Sequence, residues 1–383
     1  MMRIVLVISD LRVGGAETQV IGLARALRQR GHALAVYTLN RNNPRAAELE
    51  GLDIRLVADQ KRMKLDPAVI LRLRRFVREF RADIVHGFLY DGDLYTRIAV
   101  VGTGIPVLNS ERNDNYQLKP QQWLGLWLTR HLADGVVANS HAGARFAQNM
   151  FRLPDEHMHV VWNGIDLEAI EQRCAASVAD YRQEFFSRAD IKLATLVGQI
   201  KPQKDYVLGL QVAHVLTRLN DRWRVLFVGG ELSADGTYKA EVMQHFHDLG
   251  LEGRAIFSGI RHDAIEIMHQ SDVVFSTSRH EGFPNVVLEA MATNVPVVST
   301  EYSDIKMILP EAWQVTSTRD PELIARTVLR ADDERDRIAK KQHAWVLQYA
   351  TLDAAANRLE EVYSQYTGAS PASDGVPSHR TGV

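Results

Sequence analysis

Residues 280–298 read His-Glu-Gly-Phe-Pro-Asn-Val-Val-Leu-Glu-Ala-Met-Ala-Thr-Asn-Val-Pro-Val-Val, and they combine two carboxylates, a turn, a helix start and a buried strand. Glu281 and Glu289 are separated by a run that opens with Gly282, Phe283 and Pro284, where the chain can turn. Pro284 suits a first helical position, because its missing N–H would have found no intrahelical partner there. Glu281 then sits in the loop before a helix, and Glu289 about a turn and a half inside it. The free N–H groups of that first turn carry a partial positive charge and favour an anion. Two hydrogen-bond-accepting carboxylates beside such a helix end suit a ligand that is part polyol and part phosphate, as a nucleotide sugar is.

Outward from this stretch, short apolar runs alternate with helical patterns. Strand-like runs fall at 4–8, 34–38, 53–57, 84–86, 106–109, 135–138 and 159–161. Helical stretches at 16–30, 67–80, 92–101, 119–132 and 141–150 separate most of them. Residues 167–190 are polar and helical, and the series then restarts with strands at 193–197, 225–228, 255–257, 273–276 and 295–299. Helices at 204–219, 237–249, 263–269, 284–293 and 320–331 lie between these. Runs apolar on both faces, alternating with helices, predict parallel sheets covered by helices. The expected fold class is α/β, with two Rossmann-like parallel-sheet domains facing across a cleft. The expected limits are 1–165 and 166–350, with a linker near 162–168 and a Gly/Ser/Pro-rich disordered tail over 368–383. Ligands of open parallel sheets bind at the carboxyl ends of the strands, so each candidate motif can line the cleft.

Composition narrows the function classes. A chain of 383 residues is comfortable as two domains. Its net charge of -2 argues against a general nucleic-acid binder. The one cysteine, Cys174, excludes an intrachain disulfide and fits a reducing compartment. The apolar start is too short for a signal peptide, and no run approaches the ~18 residues of a membrane span. The expected location is cytoplasmic, compatible with a peripheral position on the inner face of the membrane.

The run Glu281-Gly-Phe-Pro-Asn-Val-Val-Leu-Glu289 closely resembles the Glu-x7-Glu motif of the family 4 glycosyltransferases, and the resemblance continues through Ala290-Met-Ala and Val295-Pro-Val-Val. Val5-Leu-Val-Ile-Ser-Asp10 followed by Gly14-Gly-Ala-Glu17 is similar to the family's first strand and glycine turn. Asn163-Gly-Ile-Asp166 is similar to the segment leading into its second domain, and Val197-Gly-Gln-Ile-Lys-Pro-Gln-Lys204 to its diphosphate loop. The four motifs stand in the family's order. The resemblance implies a GT-B fold and a retaining, metal-independent transfer of sugar from a nucleotide diphosphate sugar to an acceptor hydroxyl. It implies that the second domain holds the nucleotide, the first holds the acceptor, the helical pattern 352–366 crosses back to the first domain, and closure completes the site. Capsule, exopolysaccharide or lipopolysaccharide assembly is the common setting of such relatives, with a sugar or lipid-linked acceptor.

By the same resemblance Glu281 partners the donor sugar or the glycosyl centre and Glu289 the ribose hydroxyls, with backbone N–H groups of Gly282, Phe283 and Asn285 on the donor. Lys204 would neutralise the leaving diphosphate, a stabilisation that is often the largest catalytic term. The family's arginine five residues before that lysine is Gln199 here, which can hydrogen-bond phosphate but brings no full charge. Lys201 is the candidate to compensate. Glycines at Gly14 and Gly15 let backbone N–H groups approach a phosphate. They form no G-x-G-x-x-G fingerprint, so a nicotinamide cofactor is disfavoured. Where many relatives carry a histidine, this chain has Ser110 and Glu111, and Glu111 or Arg112 is the candidate contact to donor or acceptor.

Other features have plainer readings. Asp91-Gly-Asp93 echoes an Asp-x-Asp metal motif, but Asp93 falls at a predicted helix start, where a cap is expected. No zinc-type spacing occurs. His86 and His280 are expected to be structural. The basic amphipathic stretch 61–81 is either a solvated face or a dock for anionic lipid. Trp123–Leu128 is expected as a core helix, with insertion at an interface as the alternative. Two rival functions remain, a nucleotide-sugar epimerase on the same plan and a catalytically silent nucleotide-sugar-binding subunit.

Overall fold

The structure is a computed structural model that describes residues 1–12, 14–112, 118–231 and 236–369. The predicted disordered tail lies outside the described residues from 370 onward. Seven strands form the first sheet: β1 (Arg3–Ile8), β2 (Ala33–Thr38), β3 (Ile54–Ala58), β4 (Ile84–Phe88), β5 (Val107–Glu111), β6 (Gly135–Ala138) and β7 (Met158–Val160), in the order β3-β2-β1-β4-β5-β6-β7. Six more form the second: β8 (Lys192–Val197), β9 (Trp223–Val228), β10 (Ala255–Gly259), β11 (Val273–Ser276), β12 (Val297–Thr300) and β13 (Val315–Thr316), in the order β10-β9-β8-β11-β12-β13. All these pairings are parallel. Strand order reverses between β1 and β4 in one sheet and between β8 and β11 in the other. Such switch points open the crevices where ligands sit.

The first domain's helices are α1 (Gly15–Gln29), α2 (Pro67–Glu79), α3 (Leu89–Ala99), α4 (Pro120–Thr129) and α5 (His141–Phe151). α1 buries Val20, Leu23, Ala24 and Leu27 against β1 and β2, the 3.6-residue stripe read in its sequence. The last helix, Leu352–Thr367, packs on α1 and places Ala355, Ala356, Leu359, Val362 and Tyr363 in the core of the first sheet. Tyr363 Oη lies 2.7 Å from His86 Nδ1, so His86 is a buried core histidine, and burial holds its pKa well below the usual value.

Four local expectations need correction. Pro284 precedes the helix Asn285–Ala292 as its cap rather than opening it. Asp93 is no cap either, because α3 begins at Leu89 and leaves Asp93 buried in its second turn. There its carboxylate accepts from Asn109 Nδ2 at 3.0 Å and from the Ser110 backbone N–H at 3.3 Å, and burial pushes its pKa up to about 7. α4 is not a core helix: only Leu126 is buried, while Trp123, Leu124 and Leu128 are exposed. The helix Arg335–Tyr349 and strand β13 were not predicted. The helix buries Ile338, Gln342 and Val346, and the polar glutamine in that stripe hides the period.

Leu359 is fully buried between the last helix and the first sheet. Leu359→Ala should therefore cost ~2–5 kcal/mol in chemical denaturation. A loss under ~1 kcal/mol would mean that the last helix does not pack there in solution.

Candidate active site

Two cavities stand out. One of about 550 Å³ lies at the amino ends of β2 and β3, lined by residues such as Arg28, His32, Asp53 and Arg55. The other, about 350 Å³, lies at the carboxyl ends of both sheets. From the first domain it is lined by Gly15, Ala16 and Glu17 after β1, Leu89 after β4, Arg112 after β5, Asn139 after β6 and Asn163 after β7. From the second it takes Lys201, Gln203 and Lys204 after β8, and Glu281, Gly282, Phe283 and Asn285 after β11. This smaller cavity sits at both switch points, and it is the one taken as the site. Leu89 holds a left-handed backbone, φ 64°, at its rim. For a leucine that conformation costs on the order of 1–3 kcal/mol and persists only where its surroundings impose it.

Lys204 and Glu281 meet at the second domain's edge of the cleft. Lys204 Nζ donates to Glu281 Oε1 at 2.7 Å, and Ser278 Oγ donates to the same oxygen at 2.6 Å. Gly198 has no side chain, and the lysine stem passes where a Cβ would lie, its Cε 3.2 Å from that position. Thr277 Oγ1 holds the backbone of this loop by donating to the carbonyls of Lys204 at 2.9 Å and Asp205 at 3.0 Å. Asp205 takes a left-handed backbone, φ 48°, and its carboxylate binds Arg319 at 2.6 Å and Arg279 at 2.8 Å. Arg279 is thus committed to Asp205 and Lys306 to Glu301, so neither pairs with Glu281. Burial pushes the Lys201 ammonium below its usual pKa, with Lys204 acting in the same sense and Glu281 opposing.

Glu289 sits one turn beyond Asn285 on the same helix, half-buried, and is not among the residues lining the cavity. Burial raises its pKa to about 7, against the opposing charges of Arg173 and Lys204. Gln199 is exposed and also outside the lining. Glu111 is buried at the end of β5 and does not line the cavity, whereas its neighbour Arg112 does. Gly14 caps α1, and Gly15 approaches the second domain so closely that an added Cβ would lie 3.1 Å from Asn285 Nδ2. Asn113, at the end of the quoted 108–113 segment, lies outside the described residues.

Direct bonds cross between the domains. Arg112 Nη1 donates to Asn163 Oδ1 at 2.5 Å, and Asn163 Nδ2 donates to Asn285 Oδ1 at 2.7 Å. Asp304, after β12, accepts from the first two N–H groups of α5, His141 at 2.7 Å and Ala142 at 3.3 Å, and from Trp162 Nε1 at 3.0 Å. Sequence reasoning missed Asp304 and Ser278. Nothing in their spacing signals a bond from β12 to α5, although Ser278 stands three residues before Glu281. Among the described residues no group of three or more His, Cys, Asp or Glu is placed to hold a metal, and Asp91 is paired with Lys61.

Two doubly wound sheets with switch points facing one polar cleft define the class of GT-B proteins. Residues 13–169 match the family described as Glycosyltransferase Family 4, and residues 177–346 match Glycosyl transferases group 1. The chain belongs to the GT-B glycosyltransferases of the family 4 type, enzymes that transfer a sugar from a nucleotide sugar. It is 24% identical to a D-inositol 3-phosphate glycosyltransferase of Thermobispora bispora, across 92% of this chain and 90% of that protein. It is also 24% identical to the UDP-Gal:alpha-D-GlcNAc-diphosphoundecaprenol alpha-1,3-galactosyltransferase of Escherichia coli, across 70% of this chain and 71% of that one. Among solved structures, Anabaena HepE in complex with UDP superposes with a TM-score of 0.81 at 20% identity, covering 95% of this chain and all of that one.

A carboxyl group that titrates near 7 should leave a mark on nucleoside binding. If Glu289 accepts from ribose hydroxyls, affinity for a nucleoside should rise about tenfold from pH 6 to pH 8 as the carboxylate forms. A nucleoside rather than a nucleotide is the probe, because phosphate itself titrates near 6. Calorimetry with Glu289→Gln should give a flat, weak profile; an unchanged slope would place the ribose elsewhere.

Proposed function

We propose that the enzyme is a retaining glycosyltransferase that moves a sugar from a nucleoside diphosphate sugar to an acceptor hydroxyl in cell-surface polysaccharide or glycolipid assembly. The observation that carries this reading is the Lys204–Glu281 pair, which brings a cation and a carboxylate together on the cleft. A donor's diphosphate would take Lys204 from Glu281, and the freed carboxylate would then accept from the donor sugar. The bond from the anomeric carbon to the phosphate oxygen breaks and a bond to the acceptor oxygen forms on the same face. The acceptor's proton passes to the leaving diphosphate, so no separate protein base is required. Lys204 offsets the charge that develops as that bond breaks. Two structures of Anabaena HepE, with UDP and glucose and with UDP-glucose, make a UDP sugar the first donor to try.

This exchange separates binding from turnover. Glu281→Gln leaves Lys204 without a carboxylate, so affinity for the nucleoside diphosphate should hold or rise. Transfer should fall about 100-fold or more, read by UDP release from a UDP sugar with an acceptor. Near-normal turnover would remove Glu281 from the reaction. Diphosphate binding by the wild type without turnover on any donor would favour the silent binding subunit.

The acceptor side fits a lipid-linked substrate. No helix among the described residues is long and apolar enough to cross a membrane. α3 packs against both α2 and α4. In α2 and the segment before it lie exposed Met63, Leu65 and Leu71 with Arg62, Lys64 and Arg78, and α4 exposes Trp123, Leu124 and Leu128. Basic and apolar groups on neighbouring helices suit an anionic bilayer. Trp123→Ser with Leu128→Ser, and separately Lys64→Gln with Arg78→Gln, should each weaken co-sedimentation with phosphatidylglycerol vesicles several-fold, the second pair more at low salt. Equal sedimentation of both variants and wild type would leave this face to solvent.

A further inference from the structure

Arg112 is a charged residue in the cleft that the reading above does not use. It follows β5, is only 9% exposed, and lines the cavity opposite Lys201 and Lys204. Its guanidinium is held from three sides. Nε donates to Ser110 Oγ at 2.7 Å, Nη1 donates to Asn163 Oδ1 at 2.5 Å, and the group lies 5.0 Å from the centre of the Phe88 ring. Nη2 makes no hydrogen bond, and the side chain forms no salt bridge, among the described residues. Asp93 and Glu111 act on it only at longer range.

A guanidinium removed from water without a carboxylate in contact is costly, and folds retain one where a counter-charge arrives. The charges lining the cleft show what is missing. Glu281 is taken by Lys204, and burial raises the pKa of Glu17. The first domain's lining thus holds a guanidinium that touches no carboxylate among the described residues. Gln199 is uncharged, exposed and outside the lining, so it offers nothing to a phosphate in this space.

We propose that Arg112 binds the donor's diphosphate from the first domain, with Nη2 facing the phosphate, so that the leaving group is held between Arg112 on one side and Lys204 on the other. This rests on the transferase reading of the cleft. As the bond to the anomeric carbon breaks, charge builds on the diphosphate, and a fixed guanidinium stabilises it without reorienting. Because Asn163 links Arg112 to Asn285, the chain of hydrogen bonds that holds this cation reaches the second domain. The donor is then gripped by both domains.

The test is calorimetric titration of wild type, Arg112→Gln and Arg112→Lys with uridine, UMP and UDP, repeated in the guanosine and adenosine series, with a thermal melt of each variant. Glutamine can keep a hydrogen bond to Asn163 while losing the charge, and lysine keeps the charge. For the nucleotide series that the wild type binds, Arg112→Gln should lose about 10- to 100-fold in diphosphate affinity and under about twofold in nucleoside affinity, and Arg112→Lys should recover part of the loss. Equal loss across nucleoside, monophosphate and diphosphate would make Arg112 a merely structural residue. No loss at the diphosphate would also overturn the proposal, while leaving the transferase reading intact. A folded wild type that binds none of the three diphosphates would overturn both.

Discussion

Everything about the cleft depends on one place where the chain crosses between the sheets twice. The outgoing strand at Ile165 and the returning strand at Thr351 lie side by side as a parallel bridge. Ile165 N–H donates to the Ala350 carbonyl at 2.8 Å, and Leu352 N–H donates to the Ile165 carbonyl at 3.0 Å. A single crossing would leave two sheets on a swivel. Two crossings bonded to each other restrict the motion to a hinge and fix which ends of the sheets face one another. The segment Asn163-Gly-Ile-Asp166 is spent on this junction residue by residue. Asn163 joins Arg112 to Asn285, and Gly164 has no side chain because a Cβ would lie 2.7 Å from Leu352 Cα. Ile165 makes the bridge, and Asp166 caps the next helix by accepting from Ala169 N–H at 3.1 Å. Gln19 of α1 closes over the junction through two bonds to the Gly164 backbone.

From that junction the division of labour follows. The second domain presents a rigid cation and carboxylate, Lys204 and Glu281, on loops pinned by Thr277, Ser278 and Asp205. The first presents backbone at Gly15 and a buried guanidinium at Arg112. Neither half is a complete site. Among the described residues the loops facing each other meet through polar contacts, the asparagine pair and Asp304 at the start of α5, while Trp162 packs on Trp345 and Tyr349 beside the junction. Polar contacts between the facing loops suit a joint that opens and closes, since an apolar interface of similar extent would resist parting.

Much of this was legible in the sequence because parallel strands buried on both faces leave continuous apolar runs. β6 and β11 match their predicted limits, and most other strands differ by one to three residues at an end. Alternation of strands and helices implies the parallel sheets, but the strand orders that set the switch points come from the structure. What the sequence hid has specific causes. The helix Arg335–Tyr349 carries a glutamine in its buried stripe. α4 reads as core because it is rich in tryptophan and leucine, and only packing reveals that three of those side chains face outward. Asp93 looks like a cap by position, yet the helix starts four residues earlier at a left-handed leucine, which no propensity favours. Lys204, Glu281, Gly15, Gly282, Phe283, Asn285 and Lys201 are brought together on the cleft, whereas Gln199, Glu111 and Glu289 fall outside its lining. The partner of Glu281 could not be read from local spacing, because it depends on two loops from different strands meeting.

The central claim is that one nucleoside diphosphate is held across the cleft by both domains. Hydrogen-exchange mass spectrometry with and without a saturating nucleoside diphosphate tests it most directly. The account predicts slowed exchange in 14–19 and 109–112 of the first domain together with 198–206 and 278–289 of the second. Slowing confined to the second domain, or appearing instead around 28–34 and 49–56 at the far cavity, would contradict it.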